Sequence, residues 1–130
     1  MDESPEYVKR CRKAVKIQEL KPEEYGDFYA TQDGETGVYG TEDTYVSNFW
    51  GELMLIWLPR QDELQEMVKG VSVYGLIHRM NHFVYGEDGE TDFNDHSCIS
   101  MEQLWLAFVM KAKYQKVWDS NQNDWVVEGK

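Results

Sequence analysis

Cysteine, basic residues and long apolar runs are scarce in this sequence, and each shortage excludes a class of protein. Cys11 and Cys98 are the only cysteines, too few for a small secreted disulfide framework, so we expect reduced thiols. The longest apolar run, Leu53–Leu58, is too short to cross a bilayer. The chain opens Met-Asp-Glu, without the basic and apolar regions of a secretory signal. These shortages predict a cytoplasmic protein that does not enter a membrane.

The shortage of basic residues is local. The 130 residues include 13 Lys and Arg against 24 Asp and Glu, a net charge of -11. A first acidic segment, residues 21–58, holds one base and eight acids, and a second acidic segment, residues 86–95, holds five acids and no base. The rest of the chain is balanced to within one charge. Because a phosphate-tracking surface needs clustered Lys and Arg, we expect no direct binding to nucleic acid.

Apolar and aromatic side chains are plentiful, and their spacing predicts four helices. Hydrophobic residues make up 42% of the chain and aromatic residues 14%, which is enough for the core of one domain spanning residues 1–130. Helical spacing and capping signals mark about 5–20, Arg60–Lys69, Ser72–Tyr85 and Ser100 to about Tyr114.

The helical spacing also predicts which side chains face the core. In the first helix Val8, Cys11 and Val15 are expected inside, and the basic residues Lys9, Arg10, Arg12, Lys13 and Lys16 outside. In the third, the apolar stripe comprises Val73, Leu76, Ile77, Met80, Phe83 and Val84. The last helix opens with a capping-box pattern, Ser100 with Gln103, and its apolar face comprises Met101, Leu104, Trp105, Phe108 and Ala112.

Short aromatic and β-branched runs predict strands between the first two helices. Asp27–Ala30 and Gly37–Gly40 flank an Asp-Gly turn signal, Thr44–Asn48 is a further candidate, and the apolar run Glu52–Leu58 suits a strand covered on both faces. Two tryptophans within residues 117–127 predict a second hairpin or a turn. The expected fold is α+β: one compact domain in which about four helices pack on a short antiparallel sheet, with the 100–114 helix central.

The two acidic segments supply the candidate partner-binding residues. If the two segments share a face, which the sequence leaves open, their spaced carboxylates would imitate a phosphate backbone and attract a protein with a basic groove. The aromatic residues Tyr39, Tyr45, Phe49 and Trp50 lie nearby and either anchor a partner or cover the sheet. The simpler alternative is that the acids only keep the protein soluble. The candidate residues are Asp33, Glu35, Glu42, Asp43, Glu87, Asp88, Glu90 and Asp92.

A second candidate site is a zinc site formed by His78, His82, His96 and Cys98. Histidines four residues apart share a helix face, as paired zinc ligands do. The glutamate of the metalloprotease pattern is missing between them. The alternative is that both histidines lie on a polar helix face and that Cys98 is buried. No arrangement of nucleophile and base supports catalysis.

Two blocks of the sequence resemble a family. Residues 57–67 (WLPRQDELQEM), together with residues 100–111 (SMEQLWLAFVMK) and the KVWD of residues 116–119, are similar to small uncharacterised proteins of phages and prophages in Gram-positive bacteria. The resemblance implies an accessory protein in the host cytoplasm and carries over no catalytic residue.

Three hypotheses follow. The first is a non-catalytic module that binds a host or phage protein through a basic groove of that partner, in one version as an inhibitor that mimics nucleic acid. The second is a small zinc-binding module or metal-dependent enzyme. The third is a virion or assembly component. The sequence leaves the oligomeric state open.

Overall fold

Helices and short antiparallel strands make up the computed structural model, which describes residues 1–20, 27–31, 35–38, 56–68, 72–85 and 100–127. The predicted α+β class is confirmed. In chain order the elements are α1 (Pro5–Lys13), α2 (Val15–Gln18), β1 (Phe28–Ala30), β2 (Thr36–Val38), β3 (Ile56–Leu58), α3 (Gln61–Met67), α4 (Val73–Tyr85), α5 (Met101–Tyr114), β4 (Lys116–Asp119) and β5 (Asp124–Val127).

The predicted sheet is present, with β1 in its centre. The strand order is β2-β1-β3, and β1 is antiparallel to both neighbours. The expected β1–β2 hairpin is confirmed, with Ala30 opposite Thr36. All three residues of β3 are buried, as predicted for a strand covered on both faces. The candidate strand Thr44–Asn48 and residues 52–55 lie outside the described residues.

The first predicted helix is two helices, because the backbone leaves helical geometry at Ala14. Its ψ angle is 73°, and its N–H bonds to the Cys11 carbonyl at 3.1 Å. The register of buried positions therefore changes, so that Ile17 is buried and Val15 is exposed, contrary to the prediction. Arg10 was expected on the solvent face and is also buried.

Helix α5 is the central helix, as predicted. Its six consecutive residues from Trp105 to Met110 are buried, which is the pattern of a helix enclosed on all sides. Met101 and Ala112, placed on the apolar face by their spacing, are exposed. The helix starts where the Ser100 side chain accepts a hydrogen bond from the Gln103 N–H at 3.1 Å, and it ends at Gln115, whose φ is 58°.

The predicted C-terminal hairpin is confirmed and packs on α1. Strands β4 and β5 pair with Trp118 opposite Trp125, and their ring centroids lie 5.2 Å apart, edge to face. The indole N–H of Trp125 donates to the Arg10 carbonyl at 2.9 Å. This hairpin therefore closes one side of α1.

Helix α4 contacts the core through Phe83 and the partly buried apolar side chains near it. The Phe83 and Phe108 rings meet edge to face with centroids 5.4 Å apart, and Leu76 and Met80 are partly buried beside them. Ile77, predicted to belong to the apolar stripe, points to solvent instead. The buried face of α4 is thus narrower than its spacing suggests. None of the helices in the described ranges is both long and apolar enough to span a membrane.

Candidate functional site

Glu35 is the one predicted partner-binding acid that lies among the described residues. Its side chain is exposed at the start of β2. Its backbone is fixed by Thr31, whose N–H donates to the Glu35 carbonyl at 2.8 Å and whose hydroxyl accepts from the Glu35 N–H at 3.2 Å. The other members lie outside the described residues: Asp33, Glu42, Asp43, Glu87, Asp88, Glu90 and Asp92.

The acids that the structure does describe are largely bound within the scaffold. Glu6 contacts Arg10 at 2.8 Å and Lys9 at 3.4 Å, and these cations lower the pKa of Glu6 despite its partial burial. At the start of α3, the Arg60 guanidinium lies 3.6 Å from both Asp62 and Glu63. The described residues hold twelve acids and ten bases, a net charge of -2. Nine of the eleven excess negative charges therefore belong to the remainder of the sequence.

Two of the predicted zinc ligands, His78 and His82, lie on α4 and are both exposed. They are one helical turn apart, so their imidazoles share a face. His96 and Cys98 lie outside the described residues. Within the described ranges, no group of three or more His, Cys, Asp and Glu side chains is placed to hold a metal.

The two histidines belong to a larger exposed surface, which we call the α4 outer face. Its large side chains are strongly exposed: Tyr74 at 84%, Ile77 at 60% and Tyr85 at 61%. The helix sequence contains no acid. Sequence reasoning missed this surface because Ile77 fits the buried stripe equally well. The members recur at helical spacing and are Tyr74, Ile77, His78, Asn81, His82 and Tyr85.

A pair of carboxyl groups, Asp27 and Glu63, was also missed. Asp27 is buried just before β1, and Glu63 accepts a hydrogen bond from the Arg60 backbone N–H at 2.8 Å. Burial raises the pKa of Glu63 to about 7, with a further contribution from the Asp27 carboxyl, which is hydrogen-bonded to it. The position of Glu63, three residues after the helix cap, was a signal for capping but not for this pairing.

Cys11 is a buried free thiol next to Tyr7. The Tyr7 hydroxyl donates to the Pro59 carbonyl at 2.5 Å, which joins α1 to the end of β3. Burial raises the pKa of the Cys11 thiol and that of the Tyr7 hydroxyl. The thiolate is the reactive form of cysteine, and burial disfavours it. Cys11 is therefore a core residue and not a nucleophile.

Of the candidate features described above, Glu35 at the hairpin and the α4 outer face are exposed, whereas Cys11 and the Asp27–Glu63 pair are wholly or largely enclosed. The chain matches no protein-family model, no curated protein and no solved structure.

Proposed function

We propose that the chain is a non-catalytic module that binds a protein partner through its two acidic segments. The supporting observation is the distribution of charge. The described scaffold carries a net charge of -2, whereas the remaining residues carry twelve acids and three bases. Scaffold acids such as Glu6 and Glu63 take part in ion pairs and caps, so the unbalanced carboxylates lie elsewhere.

The chemistry of such segments favours a partner with a basic groove. Closely spaced carboxylates with few neighbouring bases attract clustered Lys and Arg and accelerate association with them. A groove that binds nucleic acid has this composition, so the finer version of the proposal is an inhibitor that occupies such a groove in a host protein. The resemblance to phage and prophage proteins is consistent with that setting.

The test is affinity capture from a lysate of the organism that carries the gene, using the full chain as bait. One variant carries D33N, E35Q, E42Q and D43N, and a second carries E87Q, D88N, E90Q and D92N. We expect the wild type to retain a basic protein. A moderate salt concentration should elute this protein, because salt screens and weakens exposed charge pairs. Each variant should lose that protein.

The matched control neutralises four exposed acids of the scaffold, Glu3, Glu19, Asp62 and Glu66, and so changes the net charge equally. Retention by this control together with loss in both segment variants supports the proposal. Equal capture by all four proteins, or a complex that resists high salt, contradicts it.

A further inference from the structure

We propose that His78 and His82 form one half of a zinc site, and that a second copy of the chain supplies the other half by pairing its α4 antiparallel to the first. This inference goes beyond the proposed function and uses none of the acidic segments. It also differs from the zinc site expected from the sequence, which recruits His96 and Cys98 of the same chain.

Within the part of the chain that the structure describes, one copy does not supply enough ligands for a zinc site. Zinc in structural sites is held tetrahedrally by four ligands, among which neutral imidazole is common. His78 and His82 are exposed on one face of α4, so both imidazoles are accessible to the same ion. The described residues offer no third ligand to this pair. A second α4 brings two more imidazoles of the same geometry.

The residues of the α4 outer face are ordered so that two copies of this face can pair in antiparallel orientation. Its members are arranged symmetrically around the midpoint between Arg79 and Met80. In an antiparallel pair related by a two-fold axis there, Tyr74 lies against Tyr85 of the second copy. A two-fold contact of this kind requires one self-complementary surface.

The same pairing brings the histidines together. His78 and the second copy's His82 then differ by one residue along the helix axis, a rise of about 1.5 Å. Packed helix axes lie about 8–10 Å apart, a gap that imidazoles can bridge from both sides. Two His78–His82 pairs would therefore surround one ion with four nitrogen ligands.

Electrostatics favours contact at this face and makes it dependent on the metal. Two chains with a net charge of -11 each repel one another. Helix α4 has no acid, and Arg79 is its only permanently charged residue.

The contact area is too small to hold two copies together without a metal. A helix of 13 residues is about 20 Å long and 10 Å wide, far smaller in footprint than the roughly 800 Å² per partner of a stable interface. We therefore expect apolar contact alone to leave the chain monomeric, and zinc to join two copies.

The experiment measures the mass of the full chain by light scattering after size exclusion, with EDTA and then with zinc chloride. With EDTA we expect the mass of one chain, 15.3 kDa. With zinc we expect a twofold increase in mass and one zinc for every two chains by elemental analysis. Magnesium chloride at the same concentration should change nothing, because magnesium prefers oxygen ligands.

Four variants distinguish this arrangement from its alternatives. Since His78 and His82 are exposed, H78A and H82A should fold normally by circular dichroism and should stay monomeric with zinc. N81A, on the same face, should still dimerise and bind zinc. The double variant H96A/C98A should also still dimerise.

Several outcomes would overturn the proposal. One is a monomer that binds one zinc per chain and loses it in H96A/C98A, which would be the site within a single chain. Others are an unchanged mass with zinc, and a dimer that persists in EDTA and in both histidine variants. Failure here leaves the capture experiment with the acidic variants unaffected, because its variants keep the α4 outer face intact.

Discussion

The guanidinium carbon of Arg10 lies 4.8 Å from the centroid of the Trp118 ring. The Nε of Arg10 also contacts the Glu6 carboxylate at 2.8 Å, and the Arg10 side chain is almost wholly buried. One cation thus joins α1 to the C-terminal hairpin by stacking on an aromatic ring while it keeps its charge paired.

Replacing Arg10 by Ala should lower the free energy of unfolding by about 2 kcal/mol, because a desolvated cation–π contact and the packing of the side-chain stem are both lost. R10K should recover only part of this loss, since the ammonium group lacks the planar surface that stacks on Trp118. Urea unfolding followed by tryptophan fluorescence measures both. The control, R12A at an exposed position, should change stability by less than about 0.5 kcal/mol.

Replacing Gln18 should also destabilise the protein, because its side-chain amide pairs with the backbone of β3 as a neighbouring strand would. Its Oε1 accepts from the Trp57 N–H at 2.8 Å, and its Nε2 donates to the Trp57 carbonyl at 2.9 Å. Q18A should cost about 1–3 kcal/mol by leaving these groups without a partner, and hydrogen exchange at the Trp57 amide should accelerate. Unchanged exchange at that amide would contradict the assignment, and K16A, at an exposed position, is the control.

Asp2 should stabilise the protein in a pH-dependent way. Its carboxylate accepts from the Ser100 hydroxyl at 2.6 Å and from the Gln103 amide at 2.8 Å. Burial opposes the charged form, but these bonds and those from Ser4 outweigh it and lower the pKa of Asp2. The stabilisation is therefore present above the ordinary pKa of 3.8 and is lost as the pH falls through the lowered value.

Accordingly, D2A should lower the free energy of unfolding by about 1–2 kcal/mol at pH 7, and the difference from the wild type should shrink towards pH 2. Urea titrations at several pH values measure this difference. E3A, at the exposed neighbouring position, should show no such trend. A difference that is constant with pH would count against a role for the ionised carboxylate.

Glu63 should have the opposite pH dependence. Its pKa is raised from the ordinary value of 4.5 to about 7, so the folded protein holds a proton that the unfolded chain releases between these values. Stability contributed by Glu63 is therefore complete below pH 4.5 and declines as the pH rises to about 7, by at most about 1.4 kcal/mol per pH unit.

The variant E63Q retains a neutral hydrogen-bonding group beside Asp27 and should remove this decline. We expect the stability of E63Q relative to the wild type to increase between pH 5 and pH 8 in chemical denaturation. E66Q, an exposed position on the same helix, should follow the wild type. A flat difference between E63Q and the wild type across this range would disprove the shifted titration.

Cys11 should resist thiol reagents in the folded protein. Burial encloses the sulfur and raises the pKa of the thiol, and both effects suppress the reactive thiolate. In a C98A background, we expect slow labelling by a disulfide exchange reagent in buffer and complete labelling in denaturant. Rapid labelling without denaturant would show that Cys11 is accessible.

The sequence predicted the elements whose signals are local. Helical spacing identified α3, α4 and α5, the Asp-Gly turn signal identified the β1–β2 hairpin, and the paired tryptophans identified the β4–β5 hairpin. The break at Ala14 was not predictable, because no proline or glycine marks it. It is stabilised by Gln18, which donates to the Cys11 carbonyl at 3.1 Å and is itself held by hydrogen bonds to Trp57, 39 residues away in the chain.

The candidate site was predicted less completely, since burial depends on tertiary partners. Arg10 looked like a solvent-facing cation because nothing in its neighbourhood reveals Trp118 and Trp125. Ile77 looked buried because the inner and outer faces of α4 are both rich in apolar side chains. The exposure of His78 and His82 did follow from their spacing.

The contact between α1 and the C-terminal hairpin also affects how the chain folds during synthesis. The Trp125–Arg10 hydrogen bond spans 115 residues, and the Gln103–Asp2 bond spans 101. Contacts of such long range are formed late and slow down folding. Helix α1 leaves the ribosome before the C-terminal hairpin does, and it cannot bury Arg10 until that hairpin has been made. Folding of this core therefore waits for translation to pass residue 125.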